Sequence, residues 1–298
     1  MSKENSECKI CSQKNNIHFE KYKGKIFNIS ELRLCKSCGI VYAFPYPDIK
    51  EVEEYYKNGV YFNCVSNQNN KSLIITQSII NHSRIKFLSS KIDFNKISKV
   101  LDIGSGNANF GYALKKNYNH INYDVVELDK SIIKNNLNII RKKYQKINEI
   151  NEEKYDLIIL NFIVEHLTSP VNYITQTKNL LKKNGFIYIE VPNSEYNYKN
   201  SYSPHLFFWD LKSFKFFLKS LNFKIIFANT FGMDYDDAKS FFDLDKKYSK
   251  YLSIKFYFLK IYSIFFLERY IKRSNLVTSL NSEGGNRHWI KVLINKHG

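Results

Sequence analysis

Long apolar runs are absent from this chain. Nowhere in its 298 residues do about twenty apolar residues follow one another, the length a membrane-spanning helix requires. The opening stretch, MSKENSECKICSQKNN, is polar and offers no apolar core for a secretory signal. Both absences give the expectation of a cytoplasmic protein, in which thiols stay reduced. Acidic residues are in deficit: 28 Asp and Glu face 45 Lys and Arg, a formal net charge of +17. That balance favours anionic partners. The lysines are nevertheless spread along the whole chain, beside abundant Asn, Ile, Phe and Tyr, as an AT-rich coding sequence would produce. The charge is therefore weak evidence for nucleic acid.

Cysteine is scarce, yet four of the five fall into two pairs, Cys8-Lys9-Ile10-Cys11 and Cys35-Lys36-Ser37-Cys38. Cys64 stands apart as an ordinary residue. Two C-x2-C knuckles separated by residues 12–34 read as a four-cysteine zinc ribbon. Four thiolates leave no open coordination position, so the expected role of the Zn2+ is structural. In so small a segment the metal would supply much of the folding free energy. Two disulfides do not suit a reducing compartment; an iron–sulfur centre is the remaining rival. Gly39 supports a tight turn, and Pro45 and Pro47 are expected to end the ribbon.

Glycine is used sparingly, and two glycines mark the most informative segment, Lys99–Glu127. Val100, Leu101 and Ile103 form a short apolar strand ending at Gly104-Ser105-Gly106. A helix follows, with Phe110, Leu114 and Tyr118 on one face. Such glycines let a backbone turn tightly and let a ligand approach closely. Glu127 then sits where an acid accepts hydrogen bonds from ribose hydroxyls. Asp102, two residues before the first glycine, would repel a pyrophosphate but suits a ligand with a cationic amino group.

The D-x-G-x-G pattern of Asp102, Gly104 and Gly106 resembles motif I of the class I S-adenosylmethionine (SAM) methyltransferases. The resemblance continues through Tyr155–Asn161, then Val164-Glu165-His166-Leu167 and Pro170, and through Asn184–Pro192. It covers roughly Lys99 to Phe231. It implies a Rossmann-like α/β fold with a seven-stranded sheet, its last strand antiparallel. It implies SAM as cofactor, with Asp102, Gly104, Ser105, Gly106, Asn109, Glu127, Leu128, Asn161 and Phe162 around it. Ala108 departs from the pattern, since many members carry a third glycine there; alanine is small enough for binding to survive. The segment Cys35–Asp48, with Tyr55-Tyr56 and Tyr61-Phe62, resembles the N-terminal zinc domain of bacterial methyltransferases that act on sugars and small molecules of polysaccharide gene clusters.

The expected organisation is a zinc ribbon over 1–60 and a methyltransferase domain over 61–298. Residues 71–94 are expected to be helical, with Ile75, Ile79, Ile80, Ile85 and Leu88 toward the core. Further strands are expected at 121–127, 145–150, 155–161, 186–191, 223–230 and 288–295. A helix capped by Ser169 should run to Lys183 and end at Asn184-Gly185. Another begins at Asp210. A helical insert over 231–286 separates the last two strands. Within it Tyr251–Arg273 is aromatic and basic, which reads as a cap over the pocket, a homodimer contact or a helix lying on an anionic membrane surface. A packed cap or dimer helix is preferred.

Methyl transfer to a hydroxyl benefits from a general base. His166 and His205 are the candidates, with Glu195 and Tyr202 as weaker ones. Some class I methyltransferases carry E-x-x-E-H after the fourth strand and bind a divalent cation there. Phe162 replaces the first of those glutamates, which argues against a metal at this position. The N/D-P-P-Y/F signature of base N-methylation is absent. The expectation is a SAM-dependent methyltransferase that O-methylates a sugar or sugar-linked group in glycan biosynthesis. The rivals are an RNA methyltransferase and a non-catalytic binding protein that kept the fold.

Overall fold

The computed structural model describes residues 7–57, 71–129, 137–152, 154–240, 243, 279–280 and 282–296, with side chains from residue 77 in the helix that begins at Lys71. Cys64, the Ile75 side chain and the Tyr251–Arg273 stretch lie outside what is described. So does most of the expected insert.

Four short strands make a small antiparallel sheet. These are β1 (Asn16–Lys21), β2 (Glu31–Cys35), β3 (Val41–Phe44) and, much later in the chain, β9 (Phe207–Phe208), in that order. Helix α1 (Ile49–Lys57) follows β3. The β9 strand pairs Phe208 with Val41 and Phe207 with Tyr42, so a segment from the far end of the chain completes the cysteine-bearing sheet.

The larger sheet has seven strands. They are β4 (Lys99–Ile103), β5 (Asn122–Val126), β6 (Lys142–Tyr144), β7 (Tyr155–Asn161), β8 (Leu181–Pro192), β10 (Phe223–Asp234) and β11 (Arg287–Lys296). Their order is β10-β11-β8-β7-β4-β5-β6. Strands β4 to β8 pair in parallel, and β11 enters antiparallel between β8 and β10, as expected. Alternation along the strands explains why both faces are covered. Leu101, Ile103, Ile158 and Leu160 join one core, whereas Val100, Leu157 and Ile159 join the other. The first core is continuous with the cysteine-bearing sheet, taking in Leu32, Val41 and Val52.

The helices are α2 (Lys71–Ser89), α3 (Asn109–Asn117), α4 (Pro170–Asn179) and α5 (Leu211–Ser220). Asp210 caps α5 in a reciprocal capping box with Ser213. Helix α2 stops at Ser89; a separate turn at Phe94–Lys96 is capped by Asp93. Ile85 and Leu88 are buried, but Ile79 is solvent-exposed, so the expected core stripe is narrower than its spacing suggested.

Several boundaries differ from expectation. Strand β10 runs on to Asp234, past the expected 223–230 and into the first residues of the expected 231–286 insert. The third strand is Lys142–Tyr144 rather than 145–150, because Arg141 binds Asp124 and brings the next residues beside β5. Residues 147–149 form one 3-10 turn instead. Helix α4 ends at Asn179, not Lys183, because Leu181 already pairs with Tyr155. Asn184-Gly185 therefore lies inside β8. A Cβ on Gly185 would stand 2.8 Å from the Tyr155 carbonyl oxygen, so this glycine serves close strand approach rather than helix termination. Ser169 makes no side-chain cap bond, although Pro170 does open the helix.

Candidate functional site

From β4 the chain moves outward to β5 and β6, then returns to lay β7 on the other side of β4. The carboxyl ends of β4 and β7 thus flank a topological switch point, where open α/β sheets bind ligands. The glycine turn leaves β4 at this point, and the 161–166 segment leaves β7 beside it.

Gly104 and Gly106 have φ of +68° and +53°, a conformation in which a Cβ is strained. A Cβ on Gly104 would collide with Ile163, whereas nothing lies within 4 Å of one on Gly106. Gly106 therefore faces open space. Its N–H donates to Glu127 Oε2 at 2.8 Å, and Asp129 N–H donates to Glu127 Oε1 at 3.2 Å. The acid at the end of β5 is so fixed against the glycine turn. Ala108 adopts φ +55° at the start of α3. The alanine thus keeps the left-handed backbone a glycine would take.

Asp102 is buried, and Tyr123 donates a hydrogen bond to its carboxylate. Gly111 makes room for this: a Cβ there would stand 2.2 Å from the Tyr123 ring. Burial pushes the Asp102 carboxyl up to about 7; the Tyr123 bond and the Arg84 charge oppose that shift and Glu127 adds to it. Burial also raises Glu127. At about 7, the Asp102 carboxyl is only partly ionised at neutral pH until a cation approaches. Ser105 Oγ and Asn161 Oδ1 are buried without a hydrogen-bond partner, which marks polar capacity left over at this edge. Phe162 has φ +56° and stands edge-on to Trp289, with Arg84 over its ring. Asn109 Nδ2 donates to Gln77, and the Leu128 carbonyl accepts from Gln145.

Beyond β7 the turn Val164–His166 places Glu165 and His166 against the His205 loop. Leu206 N–H donates to the Glu165 carbonyl, and the Leu206 carbonyl accepts from Ala43 N–H. The loop is therefore held between β3 and the end of β7. The His166 and His205 rings meet edge to face with centroids 4.5 Å apart. Tyr56 of α1 bonds His166 Nδ1 through its hydroxyl at 2.8 Å. Glu195 holds His205 Nδ1 and is itself paired with Lys199.

Burial lowers the proton affinity of both histidines. Burial alone would raise Glu195, but His205 and Lys199 draw it down to about 2. Glu165 is fully buried, and neither carboxylate oxygen has a hydrogen-bond partner. Burial pushes its carboxyl well above the ordinary range. The sequence had singled out both histidines and Glu195; Tyr56, Tyr123 and Arg84 it had not connected with any site. No local spacing signals them, because each reaches its partner across the fold.

The four paired cysteines come together as expected. Their Sγ atoms lie within 4.8 Å of one another, with 3.8 Å between Cys8 and Cys38 and 3.6 Å between Cys11 and Cys35. Sulfurs bound tetrahedrally to zinc at about 2.3 Å would stand about 3.8 Å apart. The donor set therefore fits a zinc ion.

A family model described as a methyltransferase domain matches residues 78–227, half of the chain. No curated protein matches. Among solved structures, the chain resembles the plantazolicin methyltransferase BpumL in complex with SAH, at 14% identity over 83% of this chain and 94% of that one, TM-score 0.50. It also resembles coclaurine N-methyltransferase bound to N-methylheliamine and SAH, at 15% identity over 73% and 72%, TM-score 0.49. A SAM-dependent methyltransferase from Archaeoglobus fulgidus matches at 18% identity over 72% and 92%, TM-score 0.47. At such identities the likeness is one of fold.

Proposed function

The chain belongs to the methyltransferase-domain family, and from that premise we propose that it transfers the methyl group of SAM to a hydroxyl of a sugar or sugar-linked acceptor. The observation that supports the cofactor half is the placement of Asp102 and Glu127 beside the glycine turn at the switch point, with Glu127 accepting from Gly106 N–H. Asp102 is the partner for the cofactor's amino group and Glu127 for its ribose hydroxyls. Gly104 and Gly106 shape the turn between them. Ser105, Asn109, Leu128, Asn161 and Phe162 line the rest.

Bound SAM supplies a methyl group on a sulfonium, ready for direct displacement by an oxygen. The chain's own task is to align that oxygen and to ease the departure of its proton. We assign that task to His166 and His205, oriented by Tyr56 and Glu195 respectively. A cavity of about 310 Å³ opens beside the end of β8, lined by Asn193, Ser194, Asp210, Asn229, Thr230 and Tyr235. Amides and hydroxyls of this kind suit a hydroxyl-rich acceptor. The four cysteines hold a structural zinc ion that fixes the N-terminal sheet. Residues 1–60 and 61–298 act as ribbon and catalytic domain, with the 231–286 insert as a cap or dimer contact.

Calorimetry with SAM and S-adenosylhomocysteine tests the first half, on protein whose zinc content is measured in the same sample. Micromolar binding is the expected result, followed by methylation of sugar nucleotides in an acceptor screen. Folded, zinc-loaded protein that binds neither compound would overturn the assignment. Steeply salt-dependent RNA binding would move the acceptor to RNA.

A further inference from the structure

Glu165 poses a question that methyl transfer alone does not answer. A carboxyl with no exposure and no donor on either oxygen is costly to bury. Beside it are the donor atoms of His166 and His205; one ligand atom from each of the three lies within 4.8 Å of the others. His166 Nε2 stands 3.9 Å from Glu165 Oε1. We propose that Glu165, His166 and His205 form a second metal site, binding a divalent first-row transition ion through one carboxylate and two imidazoles.

The neighbours of the three ligands support this. A metal-bound histidine usually has its other ring nitrogen held by a carboxylate, carbonyl or hydroxyl partner. His205 Nδ1 is held by Glu195, and His166 Nδ1 by the Tyr56 hydroxyl. Lys199 pairs with Glu195 behind them. The ring of His166 also has a hydrogen bond with the Pro204 backbone, which ligation would exchange for the metal. Three atoms at the corners of such a triangle need to close by roughly 0.7 Å each to reach the usual zinc–ligand distance of about 2.1 Å. That is within the reach of small side-chain rotations.

The set differs from the cysteine cluster in kind. Two imidazoles and a carboxylate leave coordination positions open, as catalytic sites do, whereas four thiolates close the sphere. With both imidazoles on the ion, the ion would take over the task assigned above to the histidines: a hydroxyl in the open position would give up its proton to solvent more readily than a free one. That role rests on the hydroxyl-acceptor reading above; binding of the ion does not. The departure at Phe162 from the E-x-x-E-H pattern removes one ligand, and His205 supplies one from a separate loop.

Metal counting by plasma mass spectrometry tests the proposal on the full-length protein after dialysis against Zn2+ or Mn2+, with SAM calorimetry on the same samples. The wild type is expected to hold two ions per chain. Glu165→Gln and His205→Gln are each expected to hold one, or to bind the second at least tenfold more weakly, with circular dichroism unchanged. A wild type that holds one ion under both metals overturns the site, as does a full second equivalent in Glu165→Gln. One ion with normal SAM binding rejects the metal and leaves the methyltransferase reading intact. Two ions without SAM binding does the reverse.

Discussion

Two proposed half-sites, one for the cofactor and one for the acceptor, lie at the strand ends beside the switch point, and they are assembled differently. The cofactor half draws Asp102, Gly104, Gly106 and Glu127 from a single strand–turn–helix–strand unit. Its key bonds, Gly106 N–H to Glu127 and Tyr123 to Asp102, stay inside that unit. The acceptor half gathers Tyr56, Glu165, His166, Glu195 and His205 from α1, the turn after β7 and the two turns before β9. Its loop is held by Ala43 of the cysteine-bearing sheet. One half is a local motif; the other exists only when the N-terminal sheet is folded onto the larger one. A perturbation of the cysteine cluster should therefore strike the acceptor half first.

The largest effect is expected from Cys35→Ser. Cys35 is buried at the end of β2 and belongs to both the sulfur cluster and the core shared by the two sheets. Structural zinc contributes directly to folding, so the thermal midpoint is expected to fall on the order of 10 °C. Limited proteolysis should cut within residues 7–57 first. SAM affinity at low temperature should change far less. An unchanged midpoint would remove the structural role from the metal.

Asp102→Asn should act on the opposite half. Loss of the charge facing the cofactor's amino group is expected to weaken SAM binding by about 1.5–3 kcal/mol, roughly ten- to a hundredfold. The same substitution should raise the midpoint of the ligand-free protein. The reason is the sign of the shift: Asp102 is near 7 when folded, above its ordinary 3.8. The folded state thus holds the proton more tightly, and stability falls as pH rises between those values. Asparagine removes the buried charge. A variant that loses SAM affinity and stability together would show that Asp102 is held as an ion by the fold itself.

The pH dependence of the wild type sharpens the same point with a smaller effect. Pairing with an ammonium requires the ionised Asp102, so binding should release a proton near neutrality. SAM affinity is expected to drop below pH 7, by up to about tenfold per unit. Calorimetry in buffers of different ionisation enthalpy would report that proton. A flat profile from pH 6 to 8 would place the amino group elsewhere.

The same contrast explains what could be read from the sequence. The strand–turn–helix–strand unit was legible because the motif and its geometry are close together in the chain; Asp102, Gly104, Gly106 and Glu127 stand in the strand, in the turn and past the second strand, as the pattern implies. The cysteine cluster was legible because pair spacing limits how four thiols can meet. A sheet covered on both faces followed from the alternation of elements, but the end of α4 did not: Asn184-Gly185 carries the local signal of a helix end, and tertiary pairing of Leu181 with Tyr155 overrides it. Glu165 entered the sequence reading as part of the E-x-x-E-H comparison, which argued against a metal there. Its lack of any hydrogen-bond partner is a property of the folded interior, and nothing in a linear pattern encodes it. The β9 pairing with β3 was hidden for a related reason: a two-residue strand has no periodicity to read.

Tyr56→Phe should give the smallest effect and bears most directly on the contrast between the halves. The substitution removes one hydroxyl and keeps the ring, including its edge contact with His166. The lost bond to His166 Nδ1 is worth about 1 kcal/mol, so the midpoint should fall by about 2–4 °C. SAM affinity should stay within about twofold, because no part of the glycine turn is touched. In His166→Gln protein, which has already lost the imidazole, the same change should cost less; that difference measures the coupling between α1 and the turn after β7. Equal costs in both backgrounds would mean that the Tyr56 hydroxyl does not position His166. A fall in SAM affinity as large as that of Asp102→Asn would mean that the two half-sites are not separable.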